Sequence, residues 1–189
     1  MIKIGILGDI GSGKSYIAKN FGYPIFNADL EVGKLYKKNK KIFYKLKKLL
    51  PKYISHFPIE KKEITNAILA NKDNLKKIIK VIHLEIRNKL NIFLKKNRNK
   101  QAVILDIPLL LENKIYKKKD ILVFVQSKKH DIINRLRKRP NYNYKLLKNF
   151  KNIQLPVDYK KKKSHFIIKN DFTNKSVKKR IKNILKEIL

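Results

Sequence analysis

Gly8-Asp9-Ile10-Gly11-Ser12-Gly13-Lys14-Ser15 follows the apolar run Ile2 to Leu7 and leads into Ser15 to Phe21, a helical stretch stopped by Gly22 and Pro24. The octapeptide matches G-x-x-x-x-G-K-[ST] in full, in the strand, loop, helix context that the motif's physics requires. Such a loop turns backbone N–H groups inward around a β-phosphate, its lysine reaches the β and γ oxygens, and its last hydroxyl takes Mg²⁺. Gly8, Asp9, Ile10, Gly11, Ser12, Gly13, Lys14 and Ser15, with Tyr16 beside them, are therefore the predicted nucleotide-binding residues, and Ser15 is a predicted metal ligand.

Outward from the loop, all six glycines fall within the first 33 residues. A second apolar run, Pro24 to Phe26, ends in Asn27-Ala28-Asp29, which puts Asp29 just past the carboxyl end of a strand, where open α/β sheets face their ligands. From Leu30 to about Asn97 the apolar residues recur three and four apart, and Asp73 is placed to cap the longest of these helical runs. Ala102 to Leu105 and Ile121 to Val125 are near-continuous apolar runs, as strands buried on both faces require. The spacing predicts a helix over about 128–138, a lysine-rich polar stretch to about 163, a short strand Phe166 to Ile168 and a closing helix Ser176 to Leu189. Alternating strands and helices predict an α/β fold, a five-stranded parallel sheet flanked by helices, with a helical insertion after the second strand and a basic segment near residues 140–163.

Composition narrows the classes. The 189 residues carry Lys+Arg 48 against Asp+Glu 14, a formal net charge of +34, with 43% hydrophobic residues and no cysteine. That apolar share suffices for a packed core, and without cysteine there is neither a disulfide framework nor a thiolate metal site. No uncharged apolar run approaches the length of a membrane span, and the amino terminus has no signal-peptide pattern, so the expected location is the cytoplasm. The charge invites a nucleic-acid reading. Yet only six of the 48 cations are arginine, the side chain suited to bidentate phosphate and base recognition, and the lysines are diffuse. A solvated surface is the first reading of such charge, and no specific nucleic-acid partner is expected.

Absences then select the reaction. After Gly33 there is no glycine for a D-x-x-G switch or a transporter signature, and Asn71-Lys72-Asp73-Asn74 fails as a guanine reader in its last position. A small kinase acting on a small acceptor remains, and it needs a metal-side carboxylate, an acceptor-side base and cations for the moving phosphoryl group. Asp106, closing Ala102-Val103-Ile104-Leu105, has the position of the metal-side acid, or it merely opens a loop before Pro108. Asp29 is either the base or a helix cap. Arg135 and Arg139 lie four apart on the predicted helix and can clamp phosphates, or they are solvated charges. His83 and Arg87 repeat that spacing on the long insertion helix, with His83 in an apolar register.

Together these residues resemble one family, dephospho-CoA kinase, nearly end to end. The resemblance rests on the phosphate loop, on Asp29 after the second strand, on His83 followed by Arg87, and on Asp106-Ile107-Pro108-Leu109-Leu110-Leu111-Glu112. It continues through Arg135-Leu136, Arg139, Gln154-Leu155-Pro156, Lys160 and Asn170. The resemblance implies a P-loop NTPase fold of nucleoside-monophosphate-kinase type, one kinase domain of residues 1–189 whose core covers about 1–29, 97–138 and 164–189, with a helical acceptor-binding insertion about 30–96 and a lid about 139–163. It implies ATP-dependent phosphorylation of the ribose 3′-hydroxyl of 3′-dephospho-CoA, the last step of coenzyme A synthesis. It implies Lys14, Asp29, Arg135 and Arg139 as catalytic residues, and Asp29, His83, Arg87, Pro108, Leu109, Leu110 and Glu112 as substrate-binding ones. Ser15 and Asp106 would hold Mg²⁺, and ATP and 3′-dephospho-CoA would be the partners, with no membrane. Departures from the family pattern are Asn27 for the first acid, Leu84 for a proline after His83, Tyr16 for a threonine, and Ser164-His165 for Ala-Asp. A nucleoside or nucleotide kinase of the same architecture is the alternative within enzymes, and a basic nucleic-acid-binding protein with a regulatory ATP site the alternative outside them.

Overall fold

Ile2–Gly8 forms the central strand β1, whose interior residues are buried because strands flank it on both sides. The protein is described here as a computed structural model covering residues 1–140 and 142–189. After β1 come α1 (Lys14–Asn20), β2 (Ile25–Asn27), and the helices α2 (Ala28–Lys38), α3 (Lys40–Leu49), α4 (Lys61–Ala70) and α5 (Asp73–Lys96). The chain continues through β3 (Ala102–Asp106), β4 (Ile121–Gln126), α6 (Lys129–Arg137), α7 (Tyr144–Asn152), α8 (Val157–Lys162), β5 (Phe166–Lys169) and α9 (Asn174–Ile188). The five strands are all parallel, in the order β2-β3-β1-β4-β5. Their carboxyl ends share one edge, and the direction of strand addition reverses beside β1, which is where such sheets leave a ligand crevice.

Two compact units form. Residues Met1–Asn27, Lys96–Tyr142 and Gln154–Leu189 build the sheet unit, and Ala28–Lys95 with Asn143–Ile153 build a helical one. In the sheet unit Ile4, Ile6, Ile104, Val123, Val125 and Ile168 bury one sheet face against Ile17 and Ala18 of α1 and Val177, Ile181 and Ile184 of α9. On the other face Leu110 and Leu122 close over Gly5, where a Cβ would lie 2.5 Å from Leu110 Cδ2. In the helical unit Leu75, Ile78, Ile82, Ile86 and Leu90 form the buried stripe of α5, spaced three and four apart.

Two local expectations change. Asp73 is the first residue of α5 rather than its cap, and the Asn71 side chain accepts the Asp73 N–H at 2.9 Å, doing the capping from two residues earlier. The lysine-rich stretch before 163 carries regular structure, because Leu146, Leu147 and Phe150 give α7 an apolar side and Asn143 caps it through Leu146 N–H at 2.9 Å. Within the helical unit α7 packs with α4, and Asn149 Nδ2 donates to the Ile68 carbonyl at 3.2 Å. Within the sheet unit α8 carries Lys160, which is 2% exposed and donates to Gln154 Oε1 at 2.8 Å and Glu112 Oε1 at 2.9 Å. A lysine inside a run of lysines thus sits in the core, held by a carboxylate and an amide, as a buried ammonium must be. Among the described residues no helix is long and apolar enough to cross a membrane.

Candidate active site

The phosphate loop is built at the carboxyl end of β1 and held from two sides. Ser127, following β4, donates through Oγ to the Ser12 carbonyl at 2.9 Å, and Asn170, following β5, donates through Nδ2 to the same oxygen at 2.9 Å. Gly13 then enters α1 with φ 93°, a left-handed backbone that costs a side-chained residue strain. A Cβ at Gly13 would also collide with Asn170 Nδ2. The variant Gly13→Ala is expected to lose about 1–3 kcal/mol of stability by combining strain with this clash, read as a lowered thermal unfolding midpoint. An unchanged midpoint would show that the loop relaxes without cost.

Lys14 folds its ammonium back over the loop, donating to the Gly8 carbonyl at 3.2 Å and the Asp9 carbonyl at 2.9 Å. Neutral carbonyls are weaker partners for an ammonium than phosphate oxygens are, so this geometry holds the charge where an incoming phosphate replaces them. Asp9 fixes the loop's first turn through its own Oδ1, which accepts Ile10 N–H at 2.7 Å. Ser15 is exposed in the first turn of α1, and Tyr16 beside it donates its hydroxyl to Asn174 Oδ1 at 3.2 Å.

Asp106 ends β3 in register with Asn27 of β2 and is 3% exposed. Asn27 Nδ2 donates to Asp106 Oδ2 at 2.7 Å. Where a second acid would repel this carboxylate, the amide fixes it and leaves one local negative charge instead of two. Among the described residues no group of three His, Cys, Asp or Glu side chains can hold a metal. A hard cation that uses one carboxylate, one hydroxyl, phosphate oxygens and water fits the donors present, Asp106 and Ser15, and Mg²⁺ has that habit.

Arg135, in the last turn of α6, lays its guanidinium 4.0 Å from the centroid of the Phe172 ring. Phe172 takes φ 62° and donates its N–H to Asn170 Oδ1 at 3.0 Å. One side chain, Asn170, therefore supports both the phosphate loop and the ring beneath Arg135. Arg139 differs from expectation: α6 ends at Arg137, Lys138 caps it, and Arg139 follows in a tighter turn with its N–H on the Leu136 carbonyl at 3.1 Å. The two arginines do not share a helix face, because the helix stops two residues short of the second.

In the helical unit Asp29 is the second residue of α2 and exposed, two residues along the chain from Asn27. Since α2 starts at Ala28, Asp29 lies inside the first turn and not in the capping position. His83 and Arg87 meet on α5, with Arg87 Nε 3.2 Å from His83 Nε2. Burial, and then the Arg87 charge, hold the His83 imidazole below its usual range, which favours the neutral ring that accepts this hydrogen bond.

The stretch after Asp106 divides. Pro108 and Leu109 are half-buried, whereas Leu110 is wholly buried above Gly5. Glu112 takes Lys160 at 2.9 Å and the Leu155 N–H at 2.9 Å on the same oxygen, Oε1. Sequence reasoning missed Ser127 and Phe172 as supports. Ser127 carries a readable signal, a polar residue just beyond an apolar strand, while Phe172 acquires its place only through Asn170.

With this geometry in view, a family model described as dephospho-CoA kinase matches residues 2–176. The dephospho-CoA kinase of Wolbachia sp. subsp. Brugia malayi (strain TRS) is 33% identical over 187 residues, covering 96% of this chain and 95% of that protein. A crystal structure from Thermus thermophilus superposes with a TM-score of 0.77 at 25% identity, over 100% of this chain and 98% of that one. Dephospho-CoA kinase from Campylobacter jejuni shares the fold with a TM-score of 0.63 at 21% identity, over 98% of this chain and 96% of that one.

Proposed function

The chain belongs to the dephospho-CoA kinase family, an enzyme class that phosphorylates dephospho-CoA with ATP in the final step of coenzyme A synthesis, and from that premise we propose how its own residues act. The observation that carries the proposal is the Lys14 ammonium, folded over a complete phosphate loop that Ser127 and Asn170 anchor from behind. Gly8 to Ser15 and Tyr16 bind the ATP phosphates, and Lys14 neutralises the charge that builds between the β and γ positions. Asp29 accepts the proton of the ribose 3′-hydroxyl of 3′-dephospho-CoA. The freed oxygen forms its bond to the γ-phosphorus as the bond to the β–γ bridging oxygen breaks, and ADP leaves.

Arg135 and Arg139 stabilise the phosphoryl oxygens during transfer. His83 and Arg87 bind the acceptor together with Pro108 and Leu109, and Glu112 and Leu110 hold that stretch in place from within. Ser15 and Asp106 hold Mg²⁺, which when bound offsets phosphate charge. Residues about 30–96 serve as the acceptor-binding insertion and about 139–163 as the lid. A net charge of +34 draws both polyanionic substrates from solution. We place the enzyme in the cytoplasm, with no membrane or specific nucleic-acid partner.

Incubation with Mg-ATP and, in parallel, 3′-dephospho-CoA, nucleosides and nucleoside monophosphates tests the proposal through ADP release and product mass. One phosphoryl group added to dephospho-CoA alone is the expected result. Turnover with a nucleoside and silence with dephospho-CoA would overturn the acceptor.

A further inference from the structure

Of the two non-glycine residues with positive φ among those described, Lys114 lies exposed in a turn, whereas Phe172 carries an aromatic ring at φ 62°. A left-handed backbone suits glycine, and a bulky residue held in it is an outlier. Strain of this kind lasts only where the surroundings over-determine it, and it gathers at functional sites. Here the loop between β5 and α9 is tied before and after the ring. Asn170 Oδ1 accepts the Phe172 N–H at 3.0 Å, and Asp171 Oδ1 accepts the Thr173 N–H at 3.0 Å and the Ser176 hydroxyl at 2.7 Å.

The strained backbone delivers the ring to one place. Its edge borders the phosphate loop, since a Cβ at Gly13 would meet Phe172 Cε1 at 3.3 Å. The guanidinium of Arg135 lies 4.0 Å from its centroid, the geometry in which a cation is drawn to an aromatic face. Arg135 is exposed, and among the described residues its side chain forms no ion pair and no hydrogen bond. An arginine without such a rest samples many rotamers, and ordering it at the moment of reaction adds to the barrier. Helix α6 is itself set against the same loop, because a Cβ at Gly11 would lie 2.9 Å from Leu136 Cγ. The helix thus fixes where the Arg135 side chain starts, and the ring fixes where it ends.

We propose that Phe172 is a positioning residue for the phosphoryl transfer: its ring, held by a backbone suited to glycine, keeps the Arg135 guanidinium in place beside the phosphate loop. This rests on the role assigned to Arg135 above, and Phe172 acts through that side chain alone. Stability and turnover then pull in opposite directions at residue 172, where glycine relaxes the backbone and removes the rest on which the guanidinium lies.

Variants at residue 172, compared with Arg135→Ala, test the proposal. Phe172→Gly and Phe172→Ala both lose the ring and only glycine releases the backbone, so Phe172→Gly is expected to unfold roughly 2–4 °C above Phe172→Ala, the reverse of the usual order. ADP release under saturating Mg-ATP and dephospho-CoA is expected to fall roughly three- to tenfold in Phe172→Gly, Phe172→Ala and Phe172→Leu, with KM for ATP within about twofold. Phe172→Tyr keeps an aromatic face and should hold turnover within about twofold. Arg135→Ala should be slow, and adding Phe172→Leu to it should slow it no further, whereas a merely structural defect would lower both backgrounds alike. The Arg135 side-chain resonances should carry a ring-current shift in the unaltered protein and in Phe172→Tyr, and lose it in Phe172→Leu. A slow Arg135→Ala beside Phe172→Leu at unaltered turnover would overturn the proposal and leave the role of Arg135 standing. Arg135→Ala at unaltered turnover would remove that role and the proposal with it. Additive loss in the double variant, or Arg135 resonances that stay in place in Phe172→Leu, would also overturn it.

Discussion

Lys14→Ala is expected to lower turnover by about 10³-fold, the upper end of what removing one preorganised donor to a developing charge costs. The ammonium already sits within 3.2 Å of two loop carbonyls, so no search for position precedes transfer, and alanine removes a charge that the rest of the loop cannot replace. Backbone N–H groups of the loop remain, and they bind phosphate without following the negative charge as it moves toward the bridging oxygen. ADP release under saturating Mg-ATP and dephospho-CoA measures the loss. Because the carbonyls of Gly8 and Asp9 lose only a side-chain donor, thermal stability should change little. Turnover within tenfold of the unaltered enzyme would mean that another cation carries the phosphoryl charge.

Asp29→Asn is expected to lower turnover by roughly 10²–10⁴-fold, the usual contribution of a positioned general base. Asparagine keeps the shape and loses the capacity to take a proton. ATP affinity should stay within about twofold, since Asp29 belongs to α2 and the phosphate loop to β1 and α1. Nucleotide binding measured beside turnover therefore separates a chemical role from a folding one. An Asp29→Asn enzyme with near-normal turnover would sink the assignment of the base, and loss of both properties together would point to a structural role.

How much was legible beforehand follows from what each residue depends on. The loop, the five strands and their parallel pairing were readable because they rest on local pattern: glycine spacing, continuous apolar runs, and alternation of strand and helix. Asp106 was readable for the same reason, as the first polar residue after a buried strand. The partner that fixes it was not, because Asn27 reaches Asp106 across 79 positions and only strand register brings the two together. The spacing of Arg135 and Arg139 misled, since their shared helix face assumed that α6 continues to 139, and the turn at Lys138 ends it. Lys160 was visible through the family resemblance alone, and its burial was not: nothing in the pattern of a run of lysines tells that this ammonium finds Glu112 and Gln154 in the interior.

The strand order also bears on how the chain comes together during synthesis. The central strand is made before either of its neighbours, and Ile2 finds Ala102 a hundred positions later, with β4 later still. At synthesis rates of roughly 5–20 residues per second, β1 waits on the order of 5–20 s with its backbone N–H and C=O groups unpaired and its apolar side chains uncovered. The intervening helices make nearby contacts and have no such delay. Assembly is therefore paced by the arrival of β3, and until then the segment that will cradle phosphate is a sticky, unfinished edge.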